Sequence, residues 1–235
     1  YTVNNCIVHN CQAWSVAGKQ LGDKDERGML FWTTLDIIKT VLEHNPKAKF
    51  LMENVKMKKD FEQYITHHTT LALGYVEKTL INSALVSAQN RNRYYWTNFK
   101  VEQPSDKGIL LKDIIEFKQN YAQWDLNNVV VRATVQANAE HTYNGKVPTL
   151  TAAMGVGGGN VPLLTDNETA SQYKGKYIDK NDRLKYRKLT PLECERLQTV
   201  PDNWTECLSN TQRYKSLGNG WTIDVIVHIL ECAFK

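Results

Sequence analysis

The chain has 235 residues, 42% of them hydrophobic, and a formal net charge of +4 at pH 7. This content is enough to bury a core and would ordinarily form one or two domains, whereas the mildly basic charge supports nucleic-acid binding only weakly. No apolar stretch approaches the roughly 18 residues of a membrane helix and no signal-like start is present, so we expect no membrane contact. The five cysteines form neither a Cys-x-x-Cys pair nor an even disulfide set, which argues against a metal site and for a reducing compartment.

The first predicted strand leads into a loop that carries a cysteine. The run Cys6–Val8 is apolar, and a polar loop with Gly18, Gly22 and Gly28 follows it. In an α/β sheet such loops lie at the ligand crevice, where Cys11 would be placed as a nucleophile. A lone cysteine is more often a buried structural residue, however, so the choice depends on the segments that follow.

A helix and a second strand come next. Apolar residues from Leu30 to Leu42 recur at helical spacing until Asn45-Pro46 ends the pattern, and the apolar run Phe50–Met52 then ends in Glu53. This order predicts a βαβ unit. Two neighbouring strands that end near Cys11 and Glu53 would place a thiol and a carboxylate on one rim, about 5 Å apart or a small multiple of that distance.

The following segment supplies a helix, two strands and a pair of arginines. The helix is predicted over Asp60–Thr66 and the strands near Tyr75–Asn82 and Arg93–Asn98. Arg91 and Arg93 are two residues apart, so in a strand they would share one face and could both point at an anionic or carbonyl-bearing ligand. Taken singly, a strand-end glutamate or an arginine pair is more often a solvated group.

From Glu102 to about Asp182, glycines and prolines separate short β-branched stretches such as Val129–Val131. This texture predicts a small, loop-rich, mostly β region, which by itself would be interpreted as a surface insertion. Its glycine run, Gly155–Gly159, lacks the Gly-Lys-Ser/Thr ending and the following helix of a phosphate-binding loop, so we expect no nucleotide pocket there. Near the end of the chain, Trp221–Phe234 predicts a helix that packs against the sheet.

Five segments follow the order of motifs in one enzyme family. They are the run from Cys11 to Phe31, Glu53-Asn54-Val55, Gln89–Arg93, Arg187–Cys194 and Tyr214–Gly220. In this order they resemble the nucleophile loop, the Glu-Asn-Val motif, the Gln-x-Arg-x-Arg motif, the segment that closes the target-recognition region and the C-terminal Gly-Asn motif of DNA cytosine-5 methyltransferases of the bacterial and phage type. One block alone would be weak evidence, but together the five cover nearly the whole chain.

The resemblance implies an α/β fold. The chain would contain the C-terminal portion of a Rossmann-like methyltransferase sheet, together with a small, mostly β target-recognition region. The resemblance divides the chain into a catalytic α/β part over 1–101, a target-recognition region over 102–186 and a C-terminal segment over 187–235 that returns to the catalytic domain. It also implies methyl transfer from S-adenosyl-L-methionine to carbon 5 of a flipped-out cytosine in double-stranded DNA, through a covalent Cys11 adduct.

Site residues follow from the resemblance position by position. The implied catalytic residues are Cys11, Glu53, Arg91 and Arg93. The Cys11 thiolate would attack carbon 6, protonated Glu53 would hydrogen-bond ring nitrogen 3, and Arg93 would bind the carbonyl at position 2. The residues implied to line the methyl-donor pocket are Leu30 and Asn219. The implied DNA-binding residues are Gln12, Ser15, Lys19, Arg27, Gln89, Thr149, Leu150 and Gly157.

Two features of the sequence depart from the family pattern. Asn10 stands where family members usually have proline, which puts the rigid entry to the nucleophile loop in question. Only ten residues precede Cys11, too few for the glycine-rich turn and the acidic residues with which the family holds S-adenosyl-L-methionine. We therefore expect cofactor binding to need a further segment, either a separate N-terminal half or subunit or another part of this polypeptide, or else to be lacking.

Three functions remain open at this point. The first is a DNA cytosine-5 methyltransferase that is complete once its cofactor-binding half is supplied. The second is a catalytically inactive DNA-binding relative, which Asn10 favours. The third, modification of transfer RNA, would predict a Cys-Phe-Thr element in the recognition region, and no cysteine lies between Cys11 and Cys194. The family type predicts a cytoplasmic protein of a bacterial, archaeal or phage-infected cell.

Overall fold

The computed structural model describes residues 5–8, 29–116, 124–126, 128–132, 137–142, 144–156, 161–165 and 186–235. These residues form two compact units. The first contains the described residues up to Asn82, Asn92–Gln103 and His228–Lys235, and the second contains Ser83–Arg91 and the described residues from Pro104 to Val227. The boundaries predicted from the motifs, at 101/102 and 186/187, divide the chain by function and not by compactness, and they stay a prediction.

The first unit is built on a four-stranded mixed sheet. The first five strands in chain order are β1 (Asn5–Val8), β2 (Phe50–Val55), β3 (Glu77–Asn82), β4 (Gln89–Asn90) and β5 (Asn92–Thr97), of which β4 belongs to the second unit. The sheet of the first unit has the order β1-β2-β5-β3, in which β1 and β2 are parallel and the other pairs antiparallel. Because a helix joins the two parallel strands, the predicted βαβ unit is confirmed.

Two helices cover this sheet, α1 (Leu30–His44) and α2 (Lys59–Leu73). Their buried apolar side chains form one cluster with those of β2, β5 and the loop after β2: Phe31, Leu35, Ile38, Phe50, Met52, Met57, Ile65 and Trp96. The predicted helix over Asp60–Thr66 is therefore real but too short. The threonines of its last turns fit a helix because their hydroxyls donate to carbonyls one turn back, as Thr69 does to Ile65 O at 2.7 Å.

The second unit contains a four-stranded antiparallel sheet and a short parallel pair. The strands are β6 (Asn128–Arg132), β7 (Ala137–Thr142), β8 (Val147–Pro148), β9 (Val161–Thr165) and β10 (Tyr186–Lys188). The larger sheet has the order β10-β9-β6-β7, and β8 pairs with β4. The mostly β character predicted for this region is thus confirmed for its described strands.

Short helices complete the chain: α3 (Leu111–Ile114), α4 (Pro191–Leu197), α5 (Asn210–Asn219) and α6 (Ile223–Ala233). A 3-10 turn, Ala152–Val156, follows β8. No helix in the described part of the chain is long and apolar enough to cross a membrane. Within the same ranges, no three His, Cys, Asp or Glu side chains are grouped so that they could hold a metal ion.

Two fully buried carboxylates hold α4 in place. Glu193 accepts two hydrogen bonds from the Arg187 guanidinium, at 2.8 and 2.9 Å, and closes a capping box with Thr190. Glu195 accepts from the backbone N–H groups of Asn203 and Thr205, at 2.7 and 2.8 Å. A buried carboxylate is stable only with such partners, so these bonds fix the turn that follows α4.

Acid should weaken the second unit through Glu195. Burial acts to raise the pKa of Glu195, but hydrogen bonds from Thr205, Arg213 and Asn203 outweigh it and hold the pKa below its ordinary value of 4.5. A carboxyl group whose pKa is lowered by folding stabilises the protein fully above its ordinary pKa, and this stabilisation is lost as the pH falls through the folded-state pKa. We expect Glu195→Gln to flatten the acid limb of a plot of unfolding midpoint in urea against pH, and an unchanged limb would contradict this.

Gly218 lies where two backbones touch. A Cβ atom added there would be 2.2 Å from the carbonyl carbon of Thr151, and one added at Gly155 would be 2.8 Å from the carbonyl oxygen of Thr211. Glycine at both positions therefore lets α5 pack directly on the 3-10 turn at 152–156.

Gly218→Ala should destabilise the protein by at least about 3 kcal/mol, because neither backbone can move aside. For a chain of this size that corresponds to a fall in Tm of about 6–12 °C. Gly108→Ala is the matched control, since a Cβ there meets nothing within 4 Å and only the positive φ of +64° is strained. Equal melting points for the two variants would show that the contact at Gly218 does not constrain the fold.

Candidate active site

The end of β1 lies beside the predicted catalytic carboxylate. In the parallel pairing of β1 with β2, Val8 is in register with Glu53. Cys11 follows Val8 by three residues in the sequence. Six of the predicted site residues fall outside the described part of the chain, and their roles stay predictions: Cys11, Gln12, Ser15, Lys19, Arg27 and Gly157.

Glu53 and Arg93 form an ion pair in the first unit. Arg93 Nε lies 2.8 Å from Glu53 Oε1, and the two side chains are 12% and 8% exposed. In the antiparallel pairing of β2 with β5, Arg93 is opposite Val55 and Tyr95 is opposite Glu53, so the pair lies diagonally on one face of the sheet. The strand was expected to end at Glu53, but it continues to Val55 because Asn54 and Val55 keep their pairing with β5.

The guanidinium of Arg93 is fixed at two of its nitrogens. Besides the Glu53 contact, Nη1 donates to the carbonyl of Asn92 at 2.9 Å. Across the described ranges Nη2 donates no hydrogen bond. A carboxyl group beside a guanidinium nitrogen that can still donate is suited to a planar ligand edge with a ring nitrogen next to a carbonyl.

Arg91 has a different environment from Arg93. Arg91 and Arg93 do not lie in one continuous strand, since β4 ends at Asn90 and β5 begins at Asn92. The Arg91 side chain is buried, and its guanidinium donates to the carbonyls of Leu150, Gly218 and Gly220 at 3.2, 3.3 and 2.8 Å. The expected common face of the two arginines is therefore wrong, and a catalytic contact of Arg91 with a ligand gains no support.

Two further predicted DNA contacts, Gln89 and Leu150, belong to the interior of the second unit. Gln89 is fully buried; its amide donates to Leu197 O and Gln198 Oε1 and accepts from Leu150 N at 2.8 Å. Leu150 is 1% exposed and packs in the core. We correct both to residues that hold β4 against β8. Thr149 is half-buried, and its hydroxyl donates to Asn90 O at 2.7 Å.

The two residues predicted for a methyl donor are both accessible. Leu30, at the start of α1, is 49% exposed, and Asn219, at the end of α5, is exposed. Beside the Gly-Asn motif, Thr151 Oγ1 is the one buried side-chain oxygen or nitrogen in the described ranges that lacks a hydrogen-bond partner. Asn219 and Thr151 thus supply an amide and a hydroxyl in the second unit, while Leu30 supplies an apolar side chain in the first. None of the three residues is a carboxylate that could pair with the ammonium and ribose groups of S-adenosylmethionine.

Of the described cysteines, Cys194 is excluded as a nucleophile by its surroundings. Complete burial, together with the neighbouring Glu193 and Glu195, raises the pKa of the Cys194 thiol far above its ordinary value. A thiol in such a place stays protonated near neutral pH and is inert.

Gln198 is a residue that reasoning from the sequence missed. It is 1% exposed, and its amide donates to Leu217 O at 2.5 Å while its oxygen accepts from Thr222 Oγ1 at 2.9 Å. It thus joins the end of α4 to both sides of the Gly-Asn motif. The sequence indicates it only by its place, four residues after the end of the Arg187–Cys194 motif.

Comparison with known proteins identifies the family. The family model described as C-5 cytosine-specific DNA methylase matches residues 10–235. The chain belongs to this family.

Relatives within the C-5 cytosine-specific DNA methylase family include three bacterial type II methyltransferases. M.HpaII of Haemophilus parainfluenzae is 30% identical over 94% of this chain and 68% of its own length. M1.ScrFI of Lactococcus lactis subsp. cremoris is 30% identical over 94% of this chain and 59% of its own length. M.HhaI of Haemophilus parahaemolyticus is 28% identical over 95% of this chain and 73% of its own length. The chain therefore spans about 59–73% of these DNA methylases.

Solved structures agree on the fold. The Entamoeba histolytica methyltransferase EhMeth has a TM-score of 0.62 at 14% identity and covers 97% of this chain and 76% of its own. Spodoptera frugiperda DNMT2, as an E260A/E261A/K263A mutant, has a TM-score of 0.61 at 22% identity. The match covers 98% of this chain and 78% of the DNMT2 chain. The α/β methyltransferase fold expected for a C-5 cytosine DNA methylase is thereby confirmed.

Proposed function

We propose that this chain is a DNA cytosine-5 methyltransferase, or the larger part of one, that binds a flipped-out cytosine between Cys11, Glu53 and Arg93. The observation that carries the proposal is the pair Glu53–Arg93, held on one face of the sheet at 2.8 Å beside the strand that leads to Cys11. The membership of the chain in the C-5 cytosine-specific family supports the same assignment.

The chemistry requires a nucleophile because carbon 5 of cytosine reacts poorly by itself. In the proposed reaction the Cys11 thiolate forms a bond to carbon 6, and the displaced electron pair makes carbon 5 an enamine carbon able to accept a methyl group. Transfer of the methyl group leaves the donor as a neutral thioether. Water then takes the carbon 5 proton, and the electron pair of that bond restores the ring double bond and expels the thiolate. Because a free cysteine thiol has a pKa of about 8.5, the site must stabilise the thiolate with positive charge, for which Arg93 is the described candidate.

Glu53 and Arg93 would neutralise the charge that develops during this addition. Protonated Glu53 donates a hydrogen bond to ring nitrogen 3, and the Arg93 Nη2 group donates to the carbonyl at position 2. The Glu53 carboxyl must take up a proton as the base enters, since the ion pair in the structure requires its ionised form. Arg93 keeps the carboxyl oriented in both states.

The proposed substrate is double-stranded DNA. A duplex hides the faces of the target ring, so the base must leave the stack at a cost of a few kcal/mol that protein contacts recover. We assign these contacts to Gln12, Ser15, Lys19 and Arg27 in the loop after β1, and to Thr149 and Gly157 in the recognition region. This role places the protein in the cytoplasm of a bacterial, archaeal or phage-infected cell.

S-adenosylmethionine is the proposed methyl donor, and when bound it supplies the electrophilic methyl group. On the family resemblance we assign Leu30 to its apolar part and Asn219 to its polar part. Neither residue can pair with its ammonium or carboxylate charge, and we assign those contacts to a further N-terminal segment, either on this polypeptide or on a separate half or subunit. In the second case that half is the proposed protein partner.

The 235-residue chain alone should bind S-adenosylmethionine very weakly. Each charged or hydroxyl group left without a partner costs about 1–3 kcal/mol, and several together weaken binding by orders of magnitude. Isothermal titration calorimetry measures this affinity, with the chain plus its cofactor-binding half as the control. Micromolar binding to the chain alone would show that it contains a complete pocket.

Transfer of a radiolabelled methyl group to DNA tests the proposed function itself. We expect incorporation at cytosine when the cofactor-binding half is present. The alternative is an inactive DNA-binding relative, which the replacement of the usual proline by Asn10 favours. Tight DNA binding without any methyl transfer would establish that alternative.

A further inference from the structure

The guanidinium of Arg91 contacts the backbone on both sides of Asn219. Its Nη2 atom donates to Gly218 O at 3.3 Å and to Gly220 O at 2.8 Å, and its Nη1 atom donates to Leu150 O at 3.2 Å. Arg91 is only 4% exposed, so it is buried among these groups. One side chain therefore ties the Gln-x-Arg-x-Arg segment to the residues before and after Asn219.

The same backbone is held from two other directions. The missing side chain of Gly218 lets it lie directly against Thr151, where a Cβ would be 2.2 Å from a carbonyl carbon. Gln198 Nε2 donates to Leu217 O at 2.5 Å and to Gly220 O at 3.3 Å. The side chain of Asn219 nevertheless remains exposed. A backbone fixed at each neighbouring residue fixes the point from which the Asn219 amide reaches out, which lowers the ordering cost of a ligand contact there.

We propose that Arg91 is a positioning residue for Asn219: it sets the orientation of the Asn219 amide toward the methyl donor and does not itself touch the base. The proposal rests on the proposed function. It favours arginine over lysine, because the rigid planar fork of the guanidinium spreads its donors over two terminal nitrogens toward Leu150, Gly218 and Gly220, whereas an ammonium presents all its donors from one nitrogen.

The test compares Arg91→Lys with Asn219→Ala and with the double variant, in the enzyme completed by its cofactor-binding half. Arg91→Lys should raise KM for S-adenosylmethionine on the order of tenfold, the effect of one or two lost hydrogen bonds, and change KM for DNA less than about twofold. In the Asn219→Ala background the same substitution should have no further effect on KM, since both changes remove one interaction.

Arg187→Lys is the matched control, because it removes another arginine fork in the same unit, the one paired with Glu193. It should lower stability without separating the two KM values. Hydrogen exchange of the 235-residue chain provides a second measurement: Arg91→Lys should speed exchange at residues 217–222, and Arg187→Lys should not.

The outcomes separate the two levels of the proposal. Any of three results would overturn the positioning role and leave the proposed function intact. They are additive effects of the two substitutions on KM for S-adenosylmethionine, equal changes in KM for S-adenosylmethionine and for DNA, and unchanged hydrogen exchange at residues 217–222. If the unsubstituted enzyme transfers no methyl group, the proposed function fails. A local change in exchange would then assign Arg91 to the fold alone, which also overturns the positioning role.

Discussion

Cys11→Ser is expected to abolish methyl transfer while DNA affinity changes little. A serine hydroxyl is far less ionised than a thiol near neutral pH, so the attack on carbon 6 loses its nucleophile although the shape of the loop is kept. The loss should therefore appear in kcat. Turnover is measured with the cofactor-binding half present, and DNA affinity by fluorescence anisotropy.

Cys207→Ser provides the matched control for this substitution. Cys207 is a free, exposed cysteine that takes no part in the proposed reaction, so its replacement should leave turnover unchanged. If Cys11→Ser retains more than about a tenth of the turnover of the unsubstituted enzyme, well above what a lost nucleophile leaves behind, Cys11 is not the nucleophile.

Glu53→Gln and Arg93→Ala should each slow methyl transfer on the order of a hundredfold, the usual scale for losing one acid or one electrophilic contact. Glutamine keeps the size of the side chain but cannot supply the carboxyl proton to ring nitrogen 3. Alanine at position 93 removes the donor to the carbonyl and also the partner of Glu53. DNA binding should change less than turnover in both variants.

Stability must be measured beside activity because Glu53 and Arg93 are mostly buried, and removing one partner of such a pair is destabilising. Glu62→Gln is the matched control: Glu62 pairs with Lys78 in the same unit and lies outside the proposed site. It should lower Tm without a comparable loss of turnover. If Glu53→Gln or Arg93→Ala unfolds the protein, the role of that residue is structural.

The elements of the first unit were predictable because their apolar patterns are simple. The helical spacing from Leu30 to Leu42 and the run Phe50–Met52 predict α1 and β2 directly, since each buries one face or both against the same core. The polar run after Thr66 hides the continuation of α2, in which threonine hydroxyls bond to the preceding turn. Local pattern thus predicts an element better than it predicts where the element ends.

The candidate site was less predictable than the fold. The spacing of Arg91 and Arg93 suggests a shared face only if the strand is continuous, and the break between β4 and β5 separates their partners. The burial of Gln89 and Arg91 depends on carbonyls more than 50 residues away in the sequence, at Leu150 and Leu197. No local pattern encodes such contacts. The Glu53–Arg93 pair likewise follows from strand register, which spacing alone does not determine.

The most direct test of the central claim is covalent trapping on DNA that carries 5-fluorocytosine at the target position. Fluorine at carbon 5 blocks the final elimination, so the enzyme, given S-adenosylmethionine and its cofactor-binding half, should remain bonded to the strand through Cys11. Mass spectrometry after denaturation should show the added strand, mapped to the peptide that contains Cys11 and absent from Cys11→Ser. An enzyme that methylates ordinary DNA yet yields no adduct, or an adduct mapped to another residue, would contradict the account.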